Sequence, residues 1–199
     1  MEYADERILA FINEVEKSQQ PNDIRTGPVR VGKRYYEFTE LAFFDGKLKV
    51  LMPSDFVDMP EEQSKLKYPY EQRPQIIKSD ETGGINFTLS QIDQELDDES
   101  VQELTEGMKA LIKRMNPTHV FYTEGLEEAG GKPIGYFDFK GAALDGFIYY
   151  IMFFFEFEGK TVMGTFCCPY GDYEDWQEAA RQVIRTIRII HEEEGGGSA

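Results

Sequence analysis

Cys167 and Cys168 are the only thiols in the sequence, and His119 and His191 the only imidazoles. A thiol activated by an imidazole base is the one nucleophilic arrangement these four residues could supply, and it needs Cys167 or Cys168 to meet His119 in space. The two thiols are adjacent. In a strand their side chains point to opposite faces, so a disulfide between them would be strained, and they read as small buried hydrophobes in a reducing compartment. No CxxC pair and no HExxH spacing is present, so no metal is expected. GxSxG, Walker and GxGxxG patterns are absent too, and "ETGGIN" and "EAGGKP" read as hairpin turns rather than phosphate cradles. The run from Asp93 to Glu99 lacks the spacing of a calcium loop and reads as an acidic helix start. With 37 Asp and Glu residues, any pair of carboxylates could be nominated for acid–base work, and the sequence selects none. No reaction and no cofactor is read from these residues.

The totals narrow the partners. A formal charge of -16 repels nucleic-acid phosphates and anionic lipid heads, so neither is expected, while a basic protein would be attracted. The length of 199 residues suits one domain with a sizeable core. No window reaches the ~18 apolar residues of a membrane span, so no membrane insertion is expected. The start, "MEYADERILAFINEVEKS", is acidic and amphipathic, unlike a secretory or transit signal, and a cytoplasmic location is expected. Nothing in the sequence sets the oligomeric state.

Helical spacing of Ile8, Phe11, Ile12 and Val15 predicts a helix from Tyr3 to Lys17, followed by a loop over 18–32. "KRYYEFTELAFFDGKLKVLMP" reads as a hairpin turning at Asp45-Gly46, "PEEQSKLKYP" as a short helix, and "PQIIKSD" and "INFTLSQID" as strands around the turn "ETGG". "DDESVQELTEGMKALIKRMNP" is the clearest helix, with Val101, Leu104, Met108, Leu111, Ile112 and Met115 as its apolar stripe. Four strands follow as a meander with turns at Gly130-Gly131 and Glu158-Gly159. A last helix begins near Asp172 and turns Trp176, Ala180, Val183, Ile184 and Ile187 inward. Hairpins with helices between them give an α+β fold with an antiparallel sheet.

The third meander strand, "GFIYYIMFFFEF", is apolar on both faces. Phe147, Tyr149, Ile151, Phe153, Phe155 and Phe157 take one face; Ile148, Tyr150, Met152 and Phe154 take the other, with Glu156 at its end. An antiparallel strand with a wet face would alternate with polar residues, so both faces must be covered. Helices on both sides of the sheet would do this, as would one closed face and one groove for a partner segment. Met52, Met59, Met152 and Met163 would suit a groove, because methionine packs adaptably, though it also serves as core fill. The "PYGDYEDW" segment offers Tyr170 and Tyr173 as a patch for a basic partner; helix capping around a core Trp176 is the plainer account of it.

"GKLKVLMPSDF" resembles the opening of PsbP-like domains, and the late strands followed by "WQEAARQVIRTIRI" are similar to their closing helix and short terminal strand. The resemblance covers about residues 34 to 190 and extends to DcrB-type proteins and type VI effector chaperones. It implies an α/β/α sandwich around an antiparallel sheet, and a non-enzymatic binding module. In the effector chaperones the sheet face cradles apolar helices. The organisation expected is an N-terminal helix and loop (1–33), a single α+β domain (34–190) and a tail (191–199). The function expected is protein binding, as a chaperone or adaptor for a secreted effector or other cargo, through Ile148, Tyr150, Met152, Phe154, Met163, Tyr170 and Tyr173. An enzyme with a carboxylate-based site, or a regulatory subunit holding a basic partner on its acidic surface, remain the alternatives.

Overall fold

A computed structural model describes residues 23–190 apart from 70, 72 and 144. The helix expected at Tyr3–Lys17 and the tail 191–199 lie outside the described residues. The meander forms as its alternation requires. Strands β8 (Val120–Ala129), β9 (Lys132–Ala143), β10 (Gly146–Phe157) and β11 (Lys160–Pro169) pair antiparallel in sequence order. The turn between β10 and β11 is Glu158-Gly159, with φ of 53° and 77°. Two successive positive values define the tight hairpin turn whose twist matches the flanking strands.

β11 then pairs with β7 (Asn86–Glu95), and β6 (Ile76–Ser79) and β5 (Val57–Asp58) extend the sheet. The result is a seven-stranded antiparallel sheet in the order β5-β6-β7-β11-β10-β9-β8. β10, the most apolar strand, lies well inside it.

The early segment departs from the sequence reading. Residues 33–53 do not form a single hairpin. β1 (Val29–Val31), within the expected loop, pairs with β2 (Arg34–Tyr36) as a two-stranded ribbon. β3 (Phe38–Phe43) and β4 (Leu48–Pro53) form the hairpin around Asp45-Gly46, and β12 (Arg188–Ile189) adds to β4 as a third strand. This small sheet stands apart from the large one in hydrogen bonding.

The three described helices are α1 (Glu61–Lys67), α2 (Val101–Met115) and α3 (Tyr173–Arg185). Asp97 opens the 3-10 turn that leads into α2 by accepting the Ser100 N–H at 2.8 Å. Asp172, expected to cap α3, makes no side-chain cap bond.

α2 and α3 take opposite sides of the large sheet. On the α3 side, Tyr149, Ile151, Phe153, Phe155 and Phe157 pack with Val162, Phe166 and Cys168 against Trp176, Ala180, Val183 and Ile184. Leu48, Val50 and Met52 of the small sheet complete that core. Trp176 sits at its centre, with ring contacts to Tyr36, Phe56 and Phe166. On the other side α2 rests on β9 and β10, over a smaller core of Phe137, Phe139 and Phe154. The architecture is the α/β/α sandwich expected, with the small sheet added to one outer layer. Both faces of β10 are apolar because helices cover both, but the cover is unequal.

Candidate functional site

Alternation and register bring five of the expected residues to the α2 side. Ile148, Tyr150, Met152 and Phe154 follow at every second position of β10, and Met163 of β11 lies directly opposite Phe154. They differ in access. Phe154 is 1% exposed beneath α2 and is core. Ile148, Tyr150, Met152 and Met163 are half-buried. Met152 and Met163 pack beside Leu104 and Met108 of α2.

The wall of this surface comes from α2. Leu104, Met108, Leu111 and Met115 follow at i, i+4, i+7 and i+11, one continuous row along a helix. The sequence reading counted Leu111 and Met115 in the apolar stripe of this helix. They are 37% and 68% exposed. The reason is geometric. Val101 and Thr105 are buried against the sheet, whereas Leu104 and Met108 pack at its margin beside the end of β7, and Leu111 and Met115, further along the same row, stand in solvent. Between α2 and the end of β7 lies a cleft of about 370 Å³ lined by Glu95, Leu96, Glu103, Leu104, Gly107 and Met108. Three of the seven methionines in the chain, Met108, Met152 and Met163, pack together at this surface, which makes it soft and adaptable. The other two named beforehand, Met52 and Met59, are buried in the body of the protein.

Tyr170 and Tyr173 are not part of the groove. They stack on each other at 4.8 Å on the α3 side of the sheet, and Tyr122 joins through Tyr173 and through a 2.8 Å hydroxyl contact to Tyr170. The Lys140 ammonium lies 3.9 Å from the centre of Phe147 and 4.1 Å from that of Tyr170, so this aromatic patch already holds a cation of its own.

The polar residues near the groove form a row across the ends of β9, β10, β11 and β7. His119 stacks on Phe139, and Phe139 on Tyr150. Tyr150 is paired across strands with Cys167, and Cys167 with Asn86. Asn86 Oδ1 accepts from the Tyr68 hydroxyl at 3.0 Å and from the Cys167 thiol at 3.3 Å. Burial raises the Tyr68 and Cys167 pKa values; for Cys167 the Lys67 ammonium opposes the shift. Tyr150 is pushed up to about 12, mainly by burial. Burial also lowers the pKa of His119. Cys168 points the opposite way, into the α3-side core, and burial raises it as well. These are conditions for inert thiols, not for a thiolate nucleophile. Labelling with an aromatic disulfide reagent at pH 8 is therefore expected to reach two thiols in denaturant and essentially none in the native protein within minutes. Rapid native labelling of one thiol would contradict the packing described.

One polar centre had no counterpart in the sequence reading. Asp138 of β9 is fully buried on the α3 side. Its carboxylate accepts from the Tyr149 hydroxyl at 2.6 Å, the Thr123 N–H at 2.6 Å and Gln177 Nε2 at 3.0 Å, with an Arg181 guanidinium nitrogen at 3.5 Å. A lone Asp within "YFDFKG" was the available signal. Among the described residues, no group of His, Cys, Asp and Glu is arranged to hold a metal ion. No helix among them is long and apolar enough to cross a membrane.

No family model matches the chain, and no curated protein sequence matches it. Solved structures do. Cyanobacterial PsbP (CyanoP) from Synechocystis superposes with a TM-score of 0.55 at 7% identity, covering 80% of this chain and 96% of that one. LpqN of Mycobacterium tuberculosis, a protein involved in cell envelope biogenesis, gives 0.51 at 11% identity, covering 81% and 95%. A Bacteroides thetaiotaomicron protein gives 0.52 at 11% identity over 77% of this chain and 48% of its own. At identities this low the backbone arrangement is what is shared, and by that arrangement the chain has a PsbP-like fold.

Proposed function

We propose that this protein is a non-enzymatic, cytoplasmic binding module that holds an apolar helical segment of another polypeptide in the groove between α2 and β11–β7, as a chaperone or adaptor does for a secreted effector or other cargo. The observation that carries the reading is the half-open sheet face. Met152 and Met163 form a floor beside an α2 flank whose Leu111 and Met115 stand in solvent. Strands β11 and β7 extend ~10 Å beyond β10, about the width of one helix; Tyr68 covers the Asn86 end of that face, so the open part lies towards Met163 and Glu95. Each large apolar side chain buried there would contribute ~1.5–3 kcal/mol, so a few suffice for stable capture. The carboxylates at the cleft, Glu95 and Glu103, add a preference for basic flanks, which joins the acidic-surface reading to the groove rather than opposing it.

The test uses the full chain as bait in lysate of its own source, at low and high salt, beside a Met163→Asp variant. The expected result is a client with apolar helices that is retained at high salt and lost, by tenfold or more, with Met163→Asp. Because Met163 is half-buried, that variant should keep a cooperative melt within a few degrees of the parent. Partners that vanish at high salt in the parent would favour an acidic-surface contact instead. A global loss of folding in Met163→Asp would mark the groove as ordinary core.

A further inference from the structure

Gly107 breaks a local rule with no compensation among the described residues. It lies in the middle of a 15-residue helix, where glycine costs ~1 kcal/mol relative to alanine. A helix tolerates this where something must approach the backbone closely, yet a Cβ built at Gly107 meets nothing within 4 Å. It lines the groove cleft beside Leu104 and Met108. By contrast Gly135 and Gly164, on the sheet, face Thr105 and Phe153 at distances no Cβ could occupy. The missing side chain at Gly107 thus makes room for nothing belonging to the described chain.

The cleft is also electrically asymmetric. Glu95 and Glu103 stand exposed at the α2 N-terminal end. Arg114 follows Gly107 by seven residues, on the same flank, and is exposed at the C-terminal end. A helix carries a partial negative charge and usually Lys or Arg at its C-terminus, with acidic residues at its N-terminus.

Resting on the groove reading above, we infer that the occupant is an amphipathic helix running antiparallel to α2 and crossing it at Gly107, with its basic last turn between Glu95 and Glu103 and its acidic first turn near Arg114. Antiparallel placement sets the negative end of the guest dipole beside the positive end of α2, and the absent Cβ brings the two backbones close at the crossing.

The experiment uses two fluorescent helical peptides of about 18 residues, long enough to span α2. They share one Leu/Ala apolar face. One carries Glu in its first turn and Lys in its last; the other has these charges exchanged. Binding to the full chain is read by anisotropy. The first peptide is expected to bind fivefold or more tightly than the second, and Glu95→Lys with Glu103→Lys to reverse the order. Gly107→Leu is expected to weaken the first peptide tenfold or more while the melting temperature holds or rises, since leucine favours helix and the site is open. Equal binding of both peptides, abolished by Met163→Asp, would overturn the orientation and leave the groove standing. Binding of neither would overturn the groove reading itself. Unchanged affinity in Gly107→Leu would overturn the crossing point. A fall in its melting temperature would show that the flank is not open in the free protein and overturn the proposal.

Discussion

Asp138→Ala is expected to cost about 3–5 kcal/mol, because removing one member of a buried charged pair strands its partners. At ~2–4 °C per kcal/mol for a chain of this size, the midpoint of thermal unfolding should fall by ~6–20 °C. Four donors converge on this carboxylate: the Tyr149 hydroxyl, the Thr123 N–H, Gln177 Nε2 and Arg181. Alanine leaves the buried Tyr149 hydroxyl without its acceptor and takes the carboxylate from the part-buried Gln177 and Arg181, although Arg181 keeps its bond to Thr123 Oγ1. The charge also holds the Tyr149 phenol protonated, since burial and the Asp138 carboxylate both raise its pKa. Asp138→Asn sharpens the expectation. An amide places its own NH₂ against donors, so it should recover only a small part of the loss. If the Asp138→Asn variant unfolded at the parental temperature by calorimetry, the four-donor description would be wrong. Because β8, β9 and α3 all contribute, the damage should appear as loss of α3 docking, with Trp176 fluorescence moving to the red.

Gly135→Leu is expected to have a comparable effect by the opposite route, adding volume. A Cβ at Gly135 would lie 1.9 Å from Thr105 Oγ1, and that hydroxyl is already held by its 2.7 Å bond to Val101 O. α2 is seated on the bare backbone of β9 at this point. Larger side chains there force the helix off the sheet, at ~1–3 kcal/mol or more. Since α2 is also the groove wall, peptide binding should be lost together with stability. Gly135→Ala combined with Thr105→Ala relieves the hydroxyl clash but leaves the two Cβ atoms 2.9 Å apart, so it should recover only part of both in denaturant titration and anisotropy. Full stability in Gly135→Leu would show that α2 is not fixed by this contact.

The large sheet was legible in the sequence because its signals are local. Gly130-Gly131 and Glu158-Gly159 mark the hairpins, and strict alternation fixes which side chains share a face. The double apolar character of β10 announced cover on both sides. The sequence was silent where the deciding partner is distant. β1 and β2 are three-residue strands in a segment full of Gly and Pro, too short for alternation to show. The stripe on α2 has the same 3.6-residue period whether a residue faces the sheet or stands in solvent, so Leu111 and Met115 counted in it beside the buried positions. Phe154 and Met152 lie on one face by alternation alone; only the position of α2 makes one core and the other surface. Tyr170 and Tyr173 lie beyond the end of β11, where alternation gives no face.

The pairing of β12 with β4 joins Ile189 to Leu48, and Ile190 donates to Lys47 O at 2.7 Å. A ribosome delivers these partners far apart in time. β3 and β4 emerge early, yet their third strand, and the α3 surface that buries Leu48, Val50 and Met52, arrive after almost everything else described. The nascent chain must therefore carry a sticky, unfinished half-layer while the whole of the large sheet is made. Completion comes as a late closure, and products halted before α3 are the species most prone to aggregate.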